Sequence, residues 1–163
     1  MLPTVPYHPT PFEKAREMLK LAGLKEGECL YDLGCGEANI LLAGAEEFGA
    51  TCVGIEKDAS LVRAARRKIK ERGLENKITI IEGDIFSDIF WSYRGRGDKP
   101  YAISKADVVA MYLNFNMHEV IVPMLEEELR EGVRVVSYEF FIRGWKSVRE
   151  LPMIFVFEKG KSF

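Results

Sequence analysis

The chain has 163 residues, of which 47% are hydrophobic, 29% charged and 11% aromatic. Such a chain reads as one soluble domain, able to bury roughly 70% of its unfolded surface without a disulfide or metal staple. Basic and acidic residues number 23 and 25, for a net charge of −2. No global attraction to nucleic acid follows from that balance, although a local one stays open. No apolar run reaches the roughly 18 residues that a membrane span needs. Met1 to Pro6 carry neither a basic nor an apolar leader, so the expected setting is cytoplasmic, with no membrane partner.

Cys29, Cys35 and Cys52 lie in apolar stretches without close pairing and read as buried, inert thiols. His8 and His118 are the two histidines and stand far apart, so no metal site and no Ser-His-Asp triad is expected. Glutamine is absent, while Glu, Lys and Arg are abundant. That bias is similar to a hyperthermophile's.

In chain order, Thr10-Pro11-Phe12-Glu13 reads as a helix start. Thr10 would be the N-cap, Pro11 the first helical residue and Glu13 the capping-box partner, with Gly23 as the stop. A strand over 28–33 enters a glycine turn. A helix over 37–48 stops at Gly49, and a second strand spans 51–56. The basic helix over 59–72 is expected to turn Leu61, Ala64, Ala65, Lys68 and Ile69 inward and Arg63, Arg66, Arg67 and Lys70 outward. Strands over 78–82, 106–113 and 133–140 follow, with a helix over 119–130 and a short last strand over 153–158.

This alternation predicts an α/β fold, a single Rossmann-like doubly wound, mostly parallel sheet with helices on both faces. The whole of 1–163 is one domain. Residues 1–27 form a flap and helix, 28–140 the core and 141–163 a short terminal strand region. In such sheets ligands sit beyond the carboxyl ends of the strands.

Those ends carry the chemistry. The first strand runs into Asp32-Leu33-Gly34-Cys35-Gly36, whose glycines permit a tight turn and close approach of a ligand. A dinucleotide fingerprint would have a third glycine where Asn39 stands. Glu56 ends the second strand and can accept from both ribose hydroxyls. Lys57 follows it. Gly83-Asp84-Ile85 ends the third strand, with an acid for an exocyclic amine and an apolar side chain for a purine face.

Together these residues resemble the class I AdoMet-dependent methyltransferases. The resemblance implies S-adenosyl-L-methionine (AdoMet) as cofactor and S-adenosyl-L-homocysteine as product, with a reduced form of the class I fold. Val5 to Pro11, Val135 to Phe140 and Ile142-Arg143-Gly144-Trp145 look like the small archaeal protein-lysine methyltransferases, which are similar to the enzymes that methylate ATP synthase subunit c. That resemblance implies proteins presenting lysine amines as partners. The chain departs from the pattern at Glu37-Ala38-Asn39, where Asp-Gly-Arg is usual, and at Ser137-Tyr138-Glu139, where Ser-His-Glu is usual. Segment 86–104 is longer and the part after Trp145 shorter.

For the site, Tyr112, Asn114 and Glu139 are the expected catalytic residues. Tyr7, Thr10, Asp32, Gly34, Cys35, Gly36, Asn39, Glu56, Lys57, Gly83, Asp84, Ile85, Tyr112 and Asn114 are the expected cofactor ligands. Tyr7, His8 and Thr10 would form a flap. Asn114 and Asn116 have turn or cap roles as alternatives, Phe115 a packing role and Glu139 an ion-pair role. The mixed aromatic and basic stretch from Trp91 to Tyr101 is either a partner contact or a solvated loop. Other functions kept open are a methyltransferase for RNA or a small molecule, and an AdoMet-binding module that needs a partner.

Overall fold

The computed structural model describes residues 7–86, 91 and 100–163. Val5 and Pro6 of the amino-terminal motif, and most of the Trp91 to Tyr101 stretch, lie outside the described residues. Among the described residues, seven strands form one sheet: β1 (Cys29–Leu33), β2 (Thr51–Glu56), β3 (Ile78–Glu82), β4 (Val108–Met111), β5 (Arg134–Tyr138), β6 (Arg149–Leu151) and β7 (Ile154–Glu158). Their order across the sheet is β3-β2-β1-β4-β5-β7-β6. The first five run parallel, and β7 is antiparallel to both of its neighbours.

Helices α1 (Phe12–Leu21), α2 (Asn39–Phe48) and α3 (Ala59–Glu71) cover one face, and α4 (Phe115–Glu128) lies on the other. Leu30, Val108 and Val136 point to the first core, while Tyr31, Val109 and Val135 point to the second. Both faces are therefore apolar, which explains strands without polar alternation. Among the described residues the crossover from β3 to β4 has one short 3₁₀ turn at Ile103–Lys105, with Ile103 and Trp91 fully buried.

Several boundaries differ from expectation, each for a local reason. Helix α1 begins at Phe12 with Pro11 in the cap position and no side-chain cap. Thr10 is instead buried, and its carbonyl accepts from Asn39 Nδ2 at 3.0 Å. Helix α2 starts at Asn39 because Ala38 takes a left-handed φ of 72°, which leaves Glu37 and Ala38 in the turn. Asp58 caps α3, accepting from the Ser60 and Leu61 N–H groups. The buried stripe of α3 is Val62, Ala65 and Ile69, so Leu61, Ala64 and Lys68 sit at its margins. Helix α4 begins four residues earlier than expected, since Asn114 caps it. Strand β6 escapes a pattern search because all three residues are exposed at the sheet edge. Cys35 and Cys52 are buried thiols as expected, whereas Cys29 is half-buried.

The helix stops at Gly23, Gly49 and Gly73 all take positive φ, as their stop role requires. Gly54 has a different task. A Cβ there would lie 2.5 Å from Leu41 Cδ1 and 2.7 Å from Cys35 Sγ. The tight helix-to-strand approach that a third motif glycine gives a dinucleotide fold is supplied here from β2.

Candidate active site

The strand order reverses direction between β1 and β4, and a cleft opens beyond their carboxyl ends. It encloses about 270 Å³, near the small end of the roughly 300–1,000 Å³ usual for small-molecule sites. The ends of β1 to β4 each contribute to the wall. Strand β1 supplies Asp32, Gly34 and Cys35, and β2 supplies Glu56 with Lys57 after it. Strand β3 leads to Gly83, Asp84 and Ile85, and β4 leads to Tyr112 and Leu113. Tyr7 to Thr10 cross above, and Asn39 opens α2 into the same space.

The glycine turn is held from β2. Gly34 and Cys35 N–H both donate to the Ile55 carbonyl at 3.0 Å. Glu56 fixes the rest: Oε2 accepts from Gly36 N–H and Oε1 from Asp58 N–H, both at 3.0 Å. One carboxylate thus joins the turn to the start of α3 while facing the cleft. Asp84 Oδ1 accepts from Phe86 N–H at 3.0 Å, and Trp91 Nε1 donates to the Ile85 carbonyl at 2.8 Å. These bonds set the acid and the apolar side chain side by side.

Asp32 is 2% exposed. Burial, followed by the nearby Glu56 charge, pushes its carboxyl up to about 8. Cys35 is raised further by the same burial, so it is an unreactive thiol. Gly36 lies beneath the flap rather than on the wall, where a Cβ would collide with the Tyr7 ring. Tyr7 is anchored through Glu37, whose N–H donates to the phenol oxygen at 3.3 Å while the phenol donates to Oε2 at 3.4 Å.

The residues fit an adenosyl amino acid. Asn39 Oδ1 is buried in the wall with no hydrogen-bond partner, and such an acceptor calls for a donor from a ligand. Glu56 and Asp84 offer carboxylates at the ends of adjacent strands, and Ile85 and Leu61 offer apolar contact between them. Leu61, Met117 and Phe86 also belong to the wall, and no local pattern in the chain marks them for it. Leu61 looked like an inward helix residue, and Met117 lay before the expected start of α4.

The far side of the cleft is aromatic. Tyr112 packs edge-on against Tyr138 at 4.8 Å and lies 6.2 Å from Phe140. Phe140 meets Phe115 at 5.3 Å. Glu139 is not on the cleft wall, but its carboxylate lies near the Tyr112 hydroxyl; burial first, and the neighbouring Glu139 carboxylate second, raise the Tyr112 pKa. The chain turns sharply here. Glu139 has a φ of +66°, its N–H donates to the Met153 carbonyl at 2.7 Å, and Ser137 Oγ donates to the Phe140 carbonyl at 2.6 Å. A left-handed non-glycine residue is costly and is retained where it aims a side chain. Asn114 is also off the wall. Its Oδ1 accepts from Met117 N–H at 3.1 Å, a helix cap rather than a ligand contact.

A family model described as the ANTKMT methyltransferase domain matches residues 32–149. A protein-lysine N-methyltransferase of Saccharolobus islandicus is 38% identical over 145 residues, covering 88% of this chain and 82% of that protein. The ribosomal protein L11 methyltransferase of Caldanaerobacter subterraneus is 33% identical over 106 residues, 64% of this chain and 31% of that protein. A solved RNA methyltransferase from Salinibacter ruber, in complex with S-adenosyl-L-homocysteine, superposes with a TM-score of 0.79 at 34% identity, covering 93% of this chain and 92% of that one. The cleft that points an orphaned acceptor and two acids at an adenosyl amino acid therefore sits in a chain that belongs to the ANTKMT methyltransferase family, an AdoMet-dependent class I methyltransferase.

Proposed function

We propose that the methyl acceptor is the side-chain amine of a protein lysine. One observation carries this reading: Tyr112 on the cleft wall packs against the rings of Tyr138 and Phe140, and the Glu139 carboxylate lies close enough to its hydroxyl to raise its pKa. A carboxylate framed by aromatic faces suits an ammonium, which is drawn by the charge and by the ring quadrupoles. A neutral nucleobase gains little from either.

Bound AdoMet supplies an electrophilic methyl group on a sulfonium sulfur. The chain's own work is then to align, to exclude water and to handle one proton. A free lysine amine has a pKa of about 10.4. The rings of Tyr112, Tyr138 and Phe140 keep water away and favour the neutral amine. The ammonium gives its extra proton to solvent on entering the ring cluster, and Glu139 then accepts an N–H bond from the neutral amine and so directs its lone pair toward the cleft. Tyr112, at the boundary between cleft and ring cluster, is the residue both partners touch. The three free thiols suit a cytoplasmic, reducing setting.

The test is transfer from methyl-labelled AdoMet into a lysate divided between protease and nuclease treatment. Label should survive nuclease and be lost with protease. Glu139→Gln should lower transfer per folded molecule by roughly tenfold or more while AdoMet affinity stays near wild type. Label in RNA, with protein unlabelled, would replace the lysine reading.

A further inference from the structure

Between β5 and β6 the chain makes a turn at Ile142–Trp145 whose two ends are anchored in the core. Ile142 is fully buried and Trp145 is 4% exposed. Trp145 stacks on Phe163 with ring centroids 3.6 Å apart, and its Nε1 donates to Glu126 at 2.7 Å. The turn closes through Trp145 N–H to the Ile142 carbonyl at 3.3 Å. Arg143 stands on this fixed base and is exposed to solvent. Its guanidinium lies over the Phe115 ring at 4.4 Å. Among the described residues it has no ion pair and no hydrogen bond. A guanidinium stacked on a ring keeps its N–H edge free and loses little rotamer freedom on binding an anion.

Phe115 is one ring contact from Phe140, which is one further contact from Tyr112. Arg143 is therefore placed near the acceptor end of the cleft, and Glu139 lies beside Tyr112 at that same end. We infer that Arg143 selects the acceptor: it takes the carboxylate of an Asp or Glu near the target lysine in the substrate protein. This rests on the lysine reading above. In an extended peptide, residues two to four positions from the lysine lie roughly 7–13 Å along the chain, a reach of about two such contacts in series, Arg143 to Phe115 at 4.4 Å and Phe115 to Phe140 at 5.3 Å. The charges match a substrate with a cation at Glu139 and an anion at Arg143. A polyphosphate backbone matches Arg143 alone and is opposed by Glu139. The guanidinium holds the carboxylate through two parallel N–H bonds, so lysine in its place is no equivalent.

The test compares methylation of synthetic peptides holding one lysine flanked by Glu, by Ser or by Arg. Wild type should favour the Glu-flanked over the Arg-flanked peptide by about tenfold or more in kcat/KM, mainly through KM. Arg143→Glu should reverse that order, and Arg143→Gln should flatten it. Melting curves and AdoMet affinity establish that each variant is folded. Equal flank preference in wild type and in Arg143→Glu would overturn the inference while leaving lysine methylation standing. If no peptide is methylated and labelled RNA is the product, the lysine reading falls and this one with it.

Discussion

Glu56 holds two jobs through one carboxylate, and its loss should show both. It fixes Gly36 N–H and Asp58 N–H and presents its charge to the cleft. Charge-assisted hydrogen bonds contribute about 1.5–3 kcal/mol each, so Glu56→Ala should weaken AdoMet and S-adenosyl-L-homocysteine by on the order of 100-fold or more. Calorimetry reads this directly, and unchanged affinity in a folded variant would take Glu56 out of the site. Asp32 gives a pH signature. Its folded pKa of about 8 stands well above the ordinary aspartate range near 3.8. A raised carboxyl favours the fold fully below its unfolded pKa, and that contribution is lost as pH rises to about 8. Asp32→Asn stays neutral throughout. The ligand-free variant should thus gain in melting temperature relative to wild type from about pH 4 to about pH 8, then run parallel. Curves parallel over the whole range would show that Asp32 is not held protonated.

Asn114 belongs to α4 as its cap, and this sets apart two roles that a substitution would separate. Losing a cap costs about 1 kcal/mol. Asn114→Ala should melt earlier by that amount with turnover per folded molecule nearly unchanged. A variant that melts like wild type but transfers methyl groups at least about tenfold more slowly would return Asn114 to the chemistry. The flap makes its own prediction. Tyr7 seals Gly36 and is tied to Glu37, so AdoMet should slow hydrogen exchange from Tyr7 to Thr10. Unaltered exchange at saturation would reduce the segment to a plain tail.

The helices and strands that pack both ways were legible in the sequence, because apolar runs and glycine stops are local signals. Strands β2 and β3 fall where expected, residue for residue. The starts of α1, α2 and α4 were not legible. Thr10 has the side chain of a cap but is pulled into the cleft by Asn39, and Ala38 adopts a backbone that no alanine advertises. Strand β6 has no apolar pattern at all, and its partner β7 alone defines it.

At the scale of the molecule, four parallel strands, β1 to β4, bring residues from Tyr7 to Met117 to one end of the sheet. The cofactor wall was readable because each of its acids and glycines terminates a strand, and strand ends must converge in a doubly wound sheet. Of the expected ligands, Gly36 is beneath Tyr7 and Asn114 caps a helix, while the other twelve stand on the wall. Tyr112 and Glu139 come from neighbouring strands of that same end, and their pairing needed the left-handed turn at Glu139 to become visible. Leu61 and Met117 could not be foreseen, since helix faces decide them and those faces were set by contacts distant in the chain.

The proposed reaction is a lysine-directed methyl transfer from an AdoMet cleft whose acceptor end is Tyr112, with Glu139 beside it. Peptide mass spectrometry of an isolated lysine-bearing protein, after incubation with the enzyme and AdoMet, tests it most directly. The expected result is methyl groups on lysine side-chain nitrogens, sharply reduced with Glu139→Gln and absent without AdoMet. Unmodified lysines beside methylated nucleosides in an RNA present in the same reaction would contradict it.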